Sequence, residues 1–362
     1  MRINECQVLL VEIGQTKPLA PYRSHIRTSD WTTKAIVRLK TDNGLIGWGE
    51  HNQNFLSPID IEKQNRDAQE FTIGWDPYDL AKYHLDNPFE PRLRCGIEMA
   101  MWDLIGKDNA QPLYRLLGGK VRECIELAAC MGIQSYERAG DMARWYVEQG
   151  YTTLKTKGGA NADEDFEMAR GVRDAVGDKL KLRIDPNRAY SNAEAADLAI
   201  RLEPYELEYF EQPIMANPLS DAKWLRDQTT TPIALNESVE GPESVIKILE
   251  ADAAEFILPD THTAGGILPC VKIGHLAEAA EIPVIMHCGH DLGLKTAAML
   301  HICSAIPAYN MPNDCTYYGL SDDILECMIP ITNGTMKVPE LPGLGVVVDE
   351  EKIKRYETSN PS

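Results

Sequence analysis

From about residue 125 onward the chain repeats one grammar: a short β-branched or apolar run, a loop, then a longer stretch with helical spacing. The strand candidates are Ile125–Met131, Thr152–Lys157, Lys181–Asp185, Leu207–Gln212, Pro232–Glu237, Glu255–Asp260, Pro283–His287 and Ala308–Asn313. Helix-like stretches lie between them: Arg138–Gln149, Asp163–Val176, Asn192–Leu202, Leu219–Asp227, Pro242–Glu250, Gly266–Ala280 and Lys295–Ala305. Such alternation, at intervals of roughly 20 to 30 residues, is what a TIM-type (β/α) barrel of seven or eight units requires. A doubly wound open sheet is the alternative, but no G-x-G-x-x-G or G-x-x-x-x-G-K-[ST] follows a strand. The predicted class is α/β.

The first 120 residues read differently. Two alternating runs, Ile3–Gly14 and Thr33–Leu39, are followed by Asn43-Gly44 and Gly47-Trp48-Gly49-Glu50. Helical patterns follow near Asp60–Phe71, Pro77–Tyr83, Arg94–Lys107 and Pro112–Leu117. This predicts an N-terminal α+β capping domain at 1–120 and a barrel at 121–320. The segment 321–362 carries no further βα unit and is expected to pack back on the capping domain and complete it.

Charge and cysteine usage exclude several functions. With 36 Lys+Arg against 55 Asp+Glu the formal charge is −19, a negative field that repels phosphate backbones. No Lys/Arg run exceeds two residues, so nucleic acid is not an expected partner. Nine cysteines, none in a C-x-x-C pair, argue against a disulfide framework or a structural zinc site. Those in apolar runs, such as Cys130, Cys270, Cys288 and Cys303, suit a core in a reducing compartment. Neither a secretory h-region nor an apolar stretch of about 18 residues occurs. A cytoplasmic protein without a membrane span is expected.

In a barrel, residues at the C-terminal strand ends share one cup. Here those ends carry Lys155 and Lys157, then Asp185, Glu211, Glu237, Asp260 and His287. The i, i+2 spacing turns both lysines to one face. Asp185, Glu211 and Glu237 are each 26 residues apart, one βα unit per carboxylate. Buried carboxylates sharing a cup need a cation, and an all-oxygen set suits Mg²⁺ first and Mn²⁺ second. A dication facing two lysines, with an imidazole beyond, fits removal of a weakly acidic proton next to a carboxylate through an enediolate.

These residues, with Gly47-Trp-Gly-Glu50, Met101-Trp-Asp-Leu-Ile-Gly-Lys107 and Pro112-Leu-Tyr-Arg-Leu-Leu-Gly-Gly119, resemble the enolase superfamily, mandelate racemase subgroup, over nearly the full length. A Lys or His base used with Mg²⁺ is that superfamily's known solution. The resemblance implies that Lys157 is the base on one face of the α-carbon and that Lys155 contacts the substrate carboxylate. It implies Asp185, Glu211 and Glu237 as metal ligands, His287 as acid/base on the opposite face, and Asp260 as its orienting partner. Asn187 is similar to a residue lining the same cup. Asp314 is the one acid near the eighth strand that can stand in for the acidic residue mandelate racemase has there.

The Asp260-Thr-His262 and His287-Cys-Gly-His290-Asp291 segments are similar to acid-sugar dehydratases. Asp185-Pro-Asn187 resembles glucarate dehydratases, which carry an amide where this chain has Glu237. The resemblance also implies specificity from two lid loops, Gly14–Asp30 with Tyr22, Arg23, His25 and Arg27, and Glu50–Pro58 with His51, Asn52, Gln53 and Asn54. The arginines suit a distal carboxylate and the amides suit hydroxyls. The expected function is Mg²⁺-dependent dehydration of a small sugar acid to a 2-keto-3-deoxy acid, by a homo-oligomer. The alternative is a racemase, epimerase or cycloisomerase using the same bases. A non-catalytic relative is disfavoured because neither base and none of the three ligands is missing.

Overall fold

The computed structural model describes residues 1–52 and 60–358. Strands β1 (Ile3–Gly14), β2 (Trp31–Thr41) and β3 (Ile46–Asn52) form an antiparallel sheet in that order. Alternation decides its two faces. Cys6, Val8 and Leu10 enter a core with the helices that follow, while Val11 and Ile13 join the core shared with the barrel. Those helices are α1 (Ile61–Thr72), α2 (Leu80–Asp86) and α3 (Pro91–Asp108). At the start of α3 the Glu90 carboxylate accepts from the Arg92 and Leu93 amides, with Pro91 in the first turn. Helix α3 lies directly on β3. A Cβ on Gly49 would sit 1.9 Å from the Gly96 carbonyl oxygen, so the glycines of the Gly47-Trp-Gly-Glu50 motif serve this close approach.

The barrel begins at β4 (Cys124–Met131). After it come α4 (Tyr136–Glu148), β5 (Thr153–Lys157), α5 (Ala162–Val176), β6 (Lys181–Asp185) and α6 (Asn192–Leu202). The series continues with β7 (Tyr209–Glu211), α7 (Leu219–Arg226), β8 (Ile233–Leu235), α8 (Pro242–Glu250) and β9 (Phe256–Ile257). It ends with α9 (Ile267–Ala279), α10 (Gly293–Ala305) and β10 (Asn313–Cys315). Strands β4 to β9 pair in parallel, each with the next. Ser135, Asn161 and Ser191 cap α4, α5 and α6 through their side chains, which places each helix start just past its strand end.

Two strand expectations need correction. Pro283–His287 was expected as a strand, but its ladder is a single bridge, Val284 to Ile257. Pro283 has no N–H, and the Met286 amide donates to the Asn313 side chain (2.7 Å) instead of a neighbouring carbonyl. The eighth strand was expected at Ala308–Asn313 and lies instead at Asn313–Cys315, beyond two prolines that cannot donate to a ladder. The ring still closes: the Asp314 amide donates to the Met286 carbonyl (3.2 Å), and β10 pairs in parallel with β4.

The tail also departs from expectation, because its first part covers the barrel. β10 pairs with only Leu127–Ala129 of β4, leaving the earlier edge of β4 unpaired. A hairpin of β11 (Ile331–Thr332) and β12 (Thr335–Lys337) fills that edge, Thr335 opposite Glu126 and Lys337 opposite Cys124. The chain then crosses to the capping domain, where α11 (Glu350–Tyr356) packs near β1 and Glu357 bridges Val11. Among the described residues no helix is long and apolar enough to cross a membrane.

Two buried glutamates of the capping domain cap barrel helices. Glu50 of β3 accepts from the Leu292 and Lys295 amides (2.8 and 3.0 Å) at the start of α10. Glu98 of α3 accepts from the Ile267 and Leu268 amides (2.7 and 2.8 Å) at the start of α9. Each carboxylate satisfies helix amides that have no intrahelical partner. Burial, reinforced by the nearby Asp291 charge, pushes the Glu50 carboxyl up to about 7.

Inside the ring, Arg183 is fully buried. It donates to Glu208 Oε2 (2.6 Å), the Pro312 carbonyl (2.9 Å) and Asp314 Oδ1 (3.2 Å), and its guanidinium lies 4.8 Å from the Tyr209 ring centroid. Removing one partner of a buried ion pair costs on the order of 3–5 kcal/mol. Arg183→Leu is therefore expected to destabilise the protein by that order, read as a lowered urea midpoint. An unchanged midpoint would show that this cluster is not holding the barrel floor.

Candidate active site

The charged side chains expected at the strand ends meet at the C-terminal mouth of the barrel. Lys155 is buried and donates to Glu211 Oε1 (2.7 Å) and Asp314 Oδ2 (2.8 Å), with Asp185 Oδ2 at 3.3 Å. Burial alone would lower its pKa, but the Asp314, Glu211 and Asp185 carboxylates more than offset this and hold the ammonium well above the ordinary lysine range. Lys157, two residues on, donates to Asp185 Oδ2 (2.5 Å) and Asn187 Oδ1 (2.8 Å). Asp185 is pushed up by burial and pulled further down by Lys157 and Lys155, so it stays ionised.

The next two acids behave oppositely. Burial and the Asp185 charge raise both Glu211 and Glu237, and among the described residues Glu211 Oε2 and Glu237 Oε2 have no hydrogen-bond partner. Orphaned, buried carboxylate oxygens beside a third carboxylate are what a hard cation satisfies, so this set fits a divalent ion. Asp185, Glu211 and His287 each present a ligand atom within 4.8 Å of the others. Glu237 falls outside that tight group. Asn187 stands between, donating to both Glu237 Oε1 (3.2 Å) and Asp185 Oδ2 (3.3 Å), and Arg188 Nε lies 3.6 Å from Glu237.

His287 Nδ1 lies 2.9 Å from Asp260 Oδ2. An ionised carboxylate can only accept, so Nδ1 carries the proton and Nε2 is the nitrogen available for proton transfer. The other oxygen of Asp260 accepts from the His262 amide (2.9 Å) and from Lys295 Nζ (3.0 Å). Burial would raise the Asp260 carboxyl, but Lys295, His262 and His287 hold it well below the usual range.

Lys155, Lys157, His287, Asp260, Glu237 and Asn187 all line one cavity of about 320 Å³. Of the lid residues named from sequence, Tyr22, Arg27 and Asn52 line it, as does His262 of the barrel. Others do not. Arg23 turns outward to Glu164 of α5 (3.2 Å), each about half exposed, while its carbonyl accepts from the Ile133 amide. His25 is exposed beside Gly159 and is not part of the lining. His51 is fully buried against Gly96 inside the capping domain, and burial pushes its imidazole down to about 4. Asp314 lies beneath the cavity, held by Lys155 and Arg183. Gln53 and Asn54 lie outside the described residues.

Not every lining residue was expected. Gln15, which was not, joins the lid residue Tyr22 over His290, Gln15 with Nε2 2.7 Å from its Nδ1 and Tyr22 edge-on at 4.3 Å. Arg188 lines the barrel side. Lys34 and Lys295 lie behind the wall, both buried. Lys295 offered one overlooked signal, since it opens a helix, where the macrodipole disfavours a cation.

Residues 137–352 match the family described as enolase C-terminal domain-like. Residues 7–118 match the mandelate racemase / muconate lactonizing enzyme N-terminal domain. The chain is 28% identical over 338 residues to an arabinonate dehydratase of Saccharolobus solfataricus, covering 88% of this chain and 89% of that protein. It is 34% identical over 259 residues to an N-succinylamino acid racemase of Thermus thermophilus, covering 71% and 69% respectively. The crystal structure of a dipeptide epimerase of Enterococcus faecalis, complexed with Mg and a dipeptide, superposes with a TM-score of 0.88. That pair is 25% identical, with 96% of this chain and 100% of that one covered. Capping sheet and barrel thus agree with both family matches: the chain is an enzyme of the enolase superfamily, belonging to the mandelate racemase / muconate lactonizing enzyme family.

Proposed function

We propose that the enzyme removes the proton α to a carboxylate with Mg²⁺ and dehydrates a sugar acid, an aldonate or aldarate, to a 2-keto-3-deoxy acid. The observation that carries this reading is the pair of proton-transfer groups, Lys157 and the His287–Asp260 dyad, lining one cavity beside the buried acids. Asp185, Glu211 and Glu237 would hold the ion, Glu237 through modest side-chain movement. Bound there, Mg²⁺ would supply a Lewis acid that offsets charge gathering on the substrate carboxylate. Lys157, as the free amine, takes the α-proton, and the electron pair left on the α-carbon expels the β-hydroxyl. His287, in its imidazolium form, delivers from Nε2 the proton that makes the leaving group water, and the resulting enol tautomerises to the 2-keto acid. Lys155, fixed as an ammonium among carboxylates, stabilises the enediolate.

Dehydration draws support from the polar side chains of a lining that also holds Tyr22, Ile26 and Trp31. Asn52, Asn187, Asn236, Thr263 and His262 offer hydrogen bonds to hydroxyls, and Arg27 suits a distal carboxylate. The arabinonate dehydratase supports this reading, while the racemase and epimerase relatives support a second, in which both bases act on one carbon without elimination.

A sugar-acid library screened with Mg²⁺, reading 2-keto product as semicarbazone together with α-proton exchange in D₂O, tests the assignment. Exchange or inversion without any keto product would replace dehydration by racemisation. With the substrate in hand, Arg27→Ala is expected to raise KM roughly ten-fold with little change in kcat, the scale of one hydrogen bond to a charged group. Arg23→Ala, facing Glu164, is expected to leave both constants unchanged. Equal effects of the two would place the distal group elsewhere.

A further inference from the structure

The His287–Asp260 pair does not end at Asp260. Lys295 Nζ, on the first turn of α10, lies 3.0 Å from Asp260 Oδ1 and 2.7 Å from Asp291 Oδ2. Asp291 Oδ1 in turn lies 3.7 Å from Lys34 Nζ. Lys34 belongs to β2 of the capping sheet, donates to the Gly289 carbonyl (2.5 Å), and is hydrogen-bonded to Asn52 Oδ1. Charges alternate along this path, imidazole, carboxylate, ammonium, carboxylate, ammonium, and from Asp260 to Lys34 every member is buried. Each ammonium meets more than one acceptor, Lys295 also reaching the His287 carbonyl (3.4 Å), and Lys295 is itself 1% exposed. A buried lysine with such partners has a fixed position, and it fixes theirs.

We propose that Lys295 is a positioning residue for His287. By occupying Oδ1 of Asp260 it leaves Oδ2 to hold the imidazole, and through Asp291 and Lys34 it ties that geometry to the docked capping domain. The Lys295 amide is also capped by Glu50 of β3, so one residue receives the capping domain through its backbone and passes the contact on through its side chain. The inference rests on the reading of His287 as an acid/base, though the contacts themselves do not depend on which substrate is used.

The test uses the paired variant Lys295→Met/Asp291→Asn, which removes one charge of each sign, and Lys295→Gln, which keeps a donor without the charge. In ¹⁵N-histidine-labelled wild type, the hydrogen-bonded Nδ1 proton of His287 is the resonance that disappears in His287→Asn. It is expected to be lost to exchange in both variants and retained in Lys295→Arg, with all folds checked by circular dichroism. On the substrate identified by the library, kcat is expected to fall roughly 10- to 100-fold with KM little changed, as for other supporting residues of an active site. Persistence of the resonance in a folded variant, or wild-type kcat in both variants, overturns the proposal. The spectroscopic arm needs no substrate, so a failed sugar-acid screen overturns the dehydratase reading and leaves this one to be decided separately.

Discussion

Lys157→Ala and His287→Asn are each expected to lower kcat by on the order of 10³-fold or more, because one positioned proton transfer contributes roughly 10² to 10⁴. The two losses should differ in kind. Lys157 shares Asp185 and Asn187 with the metal-facing side of the site, so its removal also frees Asp185 from one of two cations. His287 is held from behind by Asp260, so its replacement acts first on that dyad, although its ring also lies within 4.8 Å of Asp185 and Glu211. Dehydration needs both groups in one turnover, one to take the α-proton and one to protonate the leaving hydroxyl. Exchange of the α-proton with D₂O needs only one. His287→Asn is therefore expected to retain exchange while losing keto product, and Lys157→Ala to lose both. Wild-type turnover in His287→Asn would remove His287 from the reaction. Exchange lost in His287→Asn and kept in Lys157→Ala would interchange the two roles.

Most parts of this site that were legible in the sequence share one property: they sit at or just past a barrel strand end, and the barrel repeat alone brings those positions together. Asp185, Glu211 and Glu237 could be grouped because a single βα unit separates each from the next. Residues whose role depends on a partner from elsewhere were not legible. Arg23 and Arg27 look equivalent in sequence, but Tyr22–Arg23 pairs with Thr28–Ser29 as a two-residue ribbon. That register buries Tyr22 and Ser29 and turns Arg23 outward. His51 reads as a lid residue, yet it continues β3 and points into the capping core. Sequence does not fix the register of Asp314, because prolines at 307 and 312 delay the eighth strand and a shift of one residue reverses the face a side chain occupies. Lys34 lies in an alternating strand that could bury either face, and only docking of the two domains shows that its ammonium is enclosed.

Removal of divalent ions by EDTA is expected to abolish turnover, with Mg²⁺ restoring it. The argument is electrostatic. Asp185, Glu211 and Glu237 are buried or nearly so, while the two lysines nearby direct their hydrogen bonds to Asp185, Asn187, Glu211 Oε1 and Asp314. Among the described residues Glu211 Oε2 and Glu237 Oε2 are left with no partner, a cost that a hard cation relieves. Binding should then be visible without substrate. A ligand that binds only the folded state stabilises it by RT ln(1 + [L]/Kd), about 2.7 kcal/mol at 100 times Kd, so Mg²⁺ should raise Tm measurably. Glu211→Gln removes one charge from the set and should lose most of that Tm response, whereas Arg23→Ala, on the outer surface, should keep it. Mn²⁺ is expected to substitute, since it accepts the same oxygen donors. Full turnover in metal-free buffer, or a Tm indifferent to Mg²⁺ in the wild type, would show that the lysines alone neutralise these acids and that the reaction proceeds without a metal.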